Sequence, residues 1–256
     1  MLIVGDYHIH SKYSKFNHGK NTIEEIVKDA ISKGLQEIAI TDHGFKHLLF
    51  GTNKKNLRKA REEIDDLNEK YPEIRIYLGV EANLITETGE IDIDEESKKL
   101  LDICLLGFHK GAYGKFSGLL NIRNLIGNKN SQKRIDRNTN AYIKAIENNK
   151  IDVLTHLNEY IKIDAYKIAE ACAKNNVFIE INNRHLKLTK QDIEQMLKTD
   201  VKFIINSDAH KLSSVAKVDT AIEFAKQYIP QDRIVNISEF DLFKKRKESK
   251  WHFHKQ

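Results

Sequence analysis

Histidines in this chain fall where strands should end, and that placement is its first chemical signal. Asp6-Tyr7-His8-Ile9-His10-Ser11 follows a short apolar run, Met1–Val4, at the position of a first strand end. Side chains alternate along a strand, so His8 and His10 share a face. Two imidazoles side by side make half of a metal site. Alone, His-x-His is a weak signal. Its weight comes from later runs. Ile38–Ile40 leads to His43, Ile74–Val80 to Glu81, Ile103–Phe108 to His109, Ile151–Leu154 to His156, and Val201–Ile205 to Asp208 and His210. Six of seven expected strand ends thus carry His, Asp or Glu, and the loop after His10 adds His18.

These donors are imidazoles with two carboxylates and no thiolate, which suits zinc, manganese or iron. Nine donors are too many for one ion. They imply two or three divalent ions close together, with Glu81 as a bridge. Clustered divalent ions make hydroxide at neutral pH and clamp a phosphoryl group.

The elements that must position these groups alternate. Helical periodicity covers Ile23–Lys33, with Thr22 as cap and Gly34 as stop. It recurs at Lys54–Tyr71, Glu95–Leu101, Ala141–Asn149, Asp164–Asn175, from Thr189 to about Thr199, at Ser214–Tyr228 and near Phe240–Lys245. A short hairpin is expected around Thr88-Gly89. The sixth apolar run, Val177–Ile181, ends in Asn182-Asn183-Arg184. Seven apolar runs between helices read as an α/β fold, a parallel sheet covered on both faces. In barrels of this kind functional groups gather at the C-terminal strand ends.

At 256 residues the chain fits a single α/β barrel, and no linker-like stretch divides it. Residues 110–138 form a long polar insert with several glycines, expected to act as a lid or binding loop. Residues 246–256 read as a basic tail, and His252-Phe253-His254 within it follows no strand. His47 and His185 are likewise left out of the donor set. Cys104 and Cys172 are expected to be buried packing residues, consistent with a reducing compartment. With no apolar run of membrane-spanning length and no signal-like N-terminus, the expected location is the cytoplasm. The net charge of +5 favours anionic partners without requiring nucleic acid.

Taken together, Asp6–Ser11, Ile40–Gly44, Gly79–Asn83, Gly107–His109, Thr155-His156, Ile179–Asn183 and Asn206–His210 resemble the PHP (polymerase and histidinol phosphatase) family, most closely its stand-alone YcdX-type members. The resemblance spans nearly the whole chain. It implies a distorted seven-stranded (β/α)7 TIM-like barrel with three divalent metal ions that hydrolyses phosphoesters. Carried over by position, His8, His10 and Asp208 hold one ion. Glu81 bridges it to a second, completed by His109 and His156. His43, His210 and His18 hold a third, His18 at a longer spacing than in close relatives. The implied activity is hydrolysis of a small-molecule phosphomonoester, histidinol-phosphatase-like, by a metal-bridging hydroxide. Arg184 and Lys110 are candidate phosphate contacts. Asp42 either orients the His43 imidazole or caps the next segment. Two other readings are a nuclease or nucleotide bisphosphate phosphatase, and a non-catalytic metal-binding PHP module.

Overall fold

The computed structural model describes residues 1–112, 131–238 and 242–243. Seven parallel strands follow one another in chain order: β1 (Gly5–Ile9), β2 (Glu37–Ile40), β3 (Arg75–Asn83), β4 (Ile103–Gly107), β5 (Val153–Leu154), β6 (Phe178–Asn182) and β7 (Phe203–Asn206). They curl into a nearly closed barrel wrapped by helices, as the alternation of apolar runs and helices predicts.

Alternation along each strand separates two cores. Ile76, Leu78, Val80 and Ala82 of β3 face outward into a large cluster shared with the helices. Tyr77 faces inward and packs with Ala39, Ile103, Leu105, Val153, Ile204 and Phe243. The next inward positions on β3 are Gly79, Glu81 and Asn83. The barrel interior therefore changes from aromatic and aliphatic to ionisable towards the C-terminal strand ends.

The first strand begins later than the sequence suggests. Gly5–Ile9 pairs with β2, whereas Met1–Val4 lies outside the sheet. A register shift between Asp6 and Ile9 accompanies a change of side. Tyr7 packs in the inner cluster and Ile9 in the outer one. A bulge of this kind lets consecutive residues, Tyr7 and His8, both face the interior.

The joint between β1 and β7 is built differently from the other strand pairs. It has a single bridge, Ile9 to Ala209. Side chains lace the rest. Asn236 donates to Gly5 O (2.8 Å) and Ile205 O (2.6 Å) and accepts from Ile205 N (3.0 Å). Asp6 accepts from Ser207 N (3.1 Å), Ser207 Oγ (2.5 Å) and Ala216 N (3.0 Å). Asn206 Oδ1 accepts from Tyr7 N at 3.0 Å. Buried amides need partners, and here polar side chains supply what an eighth strand would have.

Helix boundaries follow local chemistry. Helix α1 (Ile23–Ser32) opens with a capping box between Thr22 and Glu25 and is followed by Gly34 at φ +78°. Helix α2 (Lys54–Lys70) lies as expected, and α3 (Glu95–Lys98) ends short of the expected Leu101. Helix α4 (Gln132–Asn148) starts earlier than predicted, within the supposed insert. Its first turns look polar, yet Arg134, Asn138 and Thr139 are buried. Asn138 donates to Lys162 O (3.1 Å), and Thr139 Oγ1 accepts from Asp164 N (2.8 Å), so hydrogen bonds replace apolar contacts there. Helix α5 (Ala165–Asn175) is capped by Asp164, and α6 (Lys190–Met196) by the Thr189–Asp192 box. Helix α7 (Asp219–Tyr228) is shorter than predicted, because Leu212–Ser214 forms a separate 3-10 turn and Ala216 sits at φ 56°. Both cysteines are buried. Among the described residues no helix is long and apolar enough to cross a membrane. The remainder of the insert, 113–130, and the tail lie outside the described residues.

Candidate metal centre

All nine donors expected from the sequence meet at the C-terminal end of the barrel. His8 Nε2 and His10 Nε2 are 3.3 Å apart. Glu81 Oε1 is 3.4 Å from His8 Nε2, and Asp208 Oδ1 is 3.5 Å from His10 Nε2. Tetrahedral donors with bonds of about 2.0–2.1 Å lie roughly 3.3 Å from one another. Three of the edges among these four side chains therefore match those of one coordination shell, and the His8–Asp208 edge is longer, at 3.9 Å.

Glu81 is the hub. Its Oε1 lies 2.7 Å from His156 Nε2 and 3.1 Å from His109 Nε2. Its Oε2 lies 2.8 Å from His43 Nδ1, yet both atoms are buried and neither makes a hydrogen bond. Two lone-pair donors facing each other at that distance are what a shared cation would draw together. A further pair, His18 Nε2 and His210 Nε2, lies 2.7 Å apart. His18 reaches this pair despite its longer spacing, from a turn whose Phe16 and Asn17 adopt positive φ. Three overlapping triads can each accommodate an ion: His8, His10 and Glu81; His43, Glu81 and His109; His10, His43 and His210.

The backbone is fitted to this crowding. His156 and Asp208 adopt φ values of 28° and 55°, a strained region for such residues. A Cβ on Gly107 would lie 2.8 Å from His156 Cε1 and 3.1 Å from His109 Cε1. Only glycine leaves room for both rings.

A second layer fixes the rings. Glu180 Oε1 lies 2.8 Å from His8 Nδ1, and Asn83 Oδ1 lies 2.7 Å from His109 Nδ1. Asn83 is held in turn by Asp92, at 2.7 Å from its N and 2.5 Å from its Nδ2. Such partners choose which ring nitrogen is left for a metal. Asp42 does not play this part. It accepts from Ser11 N (2.8 Å), Ser11 Oγ (2.6 Å) and Ser14 Oγ (2.5 Å), and so ties down the loop after His10.

Burial raises the Glu81 carboxyl, but the imidazoles of His109, His8 and His43 outweigh it and hold it well below the usual carboxylate range. Asp208 behaves alike, with burial opposed by His8, His10 and His210. Burial, joined by the His210 and His43 rings, pushes His10 well below the ordinary histidine range. Burial likewise lowers His109 and His210 to about 4 and His18 to about 3. These rings keep the lone pairs a cation needs. His8 goes the other way. Burial lowers it, and Glu180, Asp208 and Glu81 together raise it well above its ordinary value.

Above the floor is a cavity of about 230 Å³ walled by His18, His43, His47, Phe50, Glu159, Tyr160, Arg184, His185 and His210, among others. The Arg184 guanidinium contacts the His210 ring and lies 3.9 Å from Asp208 Oδ1. Lys110 is exposed, sits 5.0 Å from the Tyr160 ring centre and does not line the cavity. Sequence reasoning passed over His47 and His185, which lie in loops without periodicity. It also passed over Glu180, for which a signal existed: a charged residue at an inward position of an otherwise apolar strand.

The PHP domain family model matches residues 6–184. A protein of Caldanaerobacter subterraneus subsp. tengcongensis named as a probable phosphatase is 30% identical over 253 residues, covering 93% of this chain and 89% of the relative. Another so named, from Thermoanaerobacter pseudethanolicus, is 31% identical over 267 residues, covering 96% and 98%. Among solved structures, histidinol phosphate phosphatase of Lactococcus lactis subsp. lactis, complexed with zinc, L-histidinol and phosphate, superposes with a TM-score of 0.60 at 20% identity, covering 88% of this chain and 94% of that one.

Proposed function

The chain belongs to the PHP domain family and is a phosphoester hydrolase, and from that premise we propose that it cleaves a small-molecule phosphomonoester at three divalent ions. A non-catalytic role is thereby set aside. In this reading His8, His10 and Asp208 hold one ion and Glu81 links it to a second held by His109 and His156. His43, His210 and His18 hold the third. When bound, the ions would supply an activated water and neutralise charge on the phosphoryl oxygens. The observation that carries the reading is the buried, hydrogen-bond-free approach of His43 Nδ1 and Glu81 Oε2 at 2.8 Å.

The protein's own groups do the rest. Glu180 and Asn83 orient His8 and His109. Arg184, half exposed at the rim, is placed to grip phosphate oxygens with its planar fork. The cavity of about 230 Å³ suits a small leaving group better than a polymer end, and the Lactococcus protein of the same fold binds histidinol and phosphate.

The test couples elemental analysis to a panel of phosphorylated compounds that includes histidinol phosphate, nucleotides and DNA ends. Wild type should carry bound transition metal and favour small monoesters. His10→Ala should lose metal and most turnover. Full activity in His10→Ala would overturn the assignment.

A further inference from the structure

Two imidazoles in the cavity wall, His47 and His185, belong to none of the three ion sites, and His47 is the buried one. Its ring lies against both His43 (centres 4.8 Å apart, 22° between planes) and Phe50 (5.1 Å, 21°). Its loop is firmly held. Leu48 N donates to Gly111 O (3.0 Å), Gly51 N to His47 O (3.0 Å) and Thr52 N to His43 O (2.9 Å). A Cβ on Gly111 would come within 3.0 Å of the ring, so the chain leaving His109 passes directly against it.

The Phe50 amide donates to His47 Nδ1 at 3.1 Å. An amide N–H can only donate, so Nδ1 is an acceptor and the neutral ring carries its proton on Nε2. A charged ring would present protons on both nitrogens, which the Phe50 amide forbids. A ring bound to metal through Nε2 would carry its proton on Nδ1 and meet the same amide head-on. His47 is therefore built as a neutral donor. Its Nε2 makes no hydrogen bond among the described residues and is not among the buried unpartnered atoms, so it keeps access to solvent, and the ring lines the cavity.

We propose that His47 donates Nε2–H to a phosphoryl oxygen of the substrate and is a further catalytic residue of this site. The inference rests on the phosphoesterase reading for its substrate, but the tautomer stands independently of it. A fixed neutral donor costs no reorganisation as charge builds on the phosphoryl oxygens. It also adds no positive charge beside a cluster of cations.

The decisive measurement is long-range 1H–15N correlation NMR on 15N-histidine-labelled protein, metal-free and zinc-loaded, with His47 assigned through His47→Phe. The expected pattern is Nε2–H with an acceptor Nδ1 in both forms. Addition of inorganic phosphate to the zinc form should shift the Nε2–H resonance. Proton on Nδ1, a zinc-bound Nε2, or no response to phosphate would each overturn the proposal. In turnover, His47→Phe should keep its metal and lose roughly 10²-fold in kcat, the usual effect of one lost oxyanion donor. His47→Gln, which retains an N–H donor, should recover at least part of that loss. Equal loss in both variants would also overturn the proposal. If no phosphoester is turned over, the phosphoesterase reading fails, while the NMR still decides the tautomer and phosphate contact.

Discussion

Two glutamates lie inside the same barrel, on neighbouring strands, and meet opposite fates. Glu37, near the N-terminal end of β2, accepts from the phenols of Tyr7 (2.5 Å) and Tyr77 (2.9 Å). Phe243 closes over both phenol rings, at 5.0 and 5.9 Å between centres. Glu81, further along β3, is ringed by imidazole nitrogens, and its Oε2 has no hydrogen-bond donor at all. Both carboxylates are buried, so burial alone says nothing about role. What separates them is the neighbour. A phenol brings its own proton and completes a hydrogen bond. An imidazole nitrogen that makes no hydrogen bond with the carboxylate it faces completes nothing until a cation arrives.

Glu81→Ala should break this contrast most severely. It removes the hub of the donor set, so metal stoichiometry should fall and turnover should drop by roughly 10³-fold or more, on the scale of losing a principal electrostatic stabiliser. Elemental analysis with steady-state kinetics would check it. Glu37→Ala should do the reverse. It leaves two buried phenols without acceptors and should cost about 3 kcal/mol by urea unfolding, with metal content per folded molecule unchanged. Loss of metal in Glu37→Ala would erase the distinction.

Acidity sharpens the comparison next. His109 and His210 have pKa values near 4, below those of an unfolded chain, so the unfolded state binds more protons between about pH 6.5 and 4. Their contribution to metal-free stability is complete above that window and is lost as pH falls through it, by up to about 3 kcal/mol for each ring. His8, raised well above its ordinary value, acts in the opposite sense, and its contribution is lost as pH rises through its folded pKa. The lowered rings outnumber the raised ones, so denaturant midpoints of metal-free protein should fall between pH 6.5 and 4. The smallest effect should come from Glu180→Gln, which leaves every donor in place but weakens the hold on His8. A loss of roughly 10–100-fold in metal affinity is expected by competitive chelator titration, with the fold intact.

How much of this was legible beforehand depends on where each residue sits. Eight of the nine donors stood out because strand ends are marked by apolar runs, and a parallel barrel brings strand ends together, whereas His18, in the loop after His10, was placed by the family resemblance. The start of β1 was misread because Met1–Val4 is as apolar as a strand, while Gly5–Ile9 carries Asp6, which laces the joint to β7, and His8. The first turns of α4 were hidden because their buried face is polar and satisfied by hydrogen bonds. His47 was not legible at all. Its role depends on the Phe50 amide, and backbone donors leave no mark in a sequence.

The joint laced by Asn236, Asp6 and Asn206 has one more consequence. His8 and His10 lie on the β1 side of it, and Asp208 and His210 on the β7 side. An ion held by His8, His10 and Asp208 would act as a rivet across the one joint that lacks a strand ladder. Loading would then be felt mechanically, as slower hydrogen exchange at Val4, Tyr7, His10 and Ile205, whose amides cross or flank that joint. Catalyst and fastener would be the same atom.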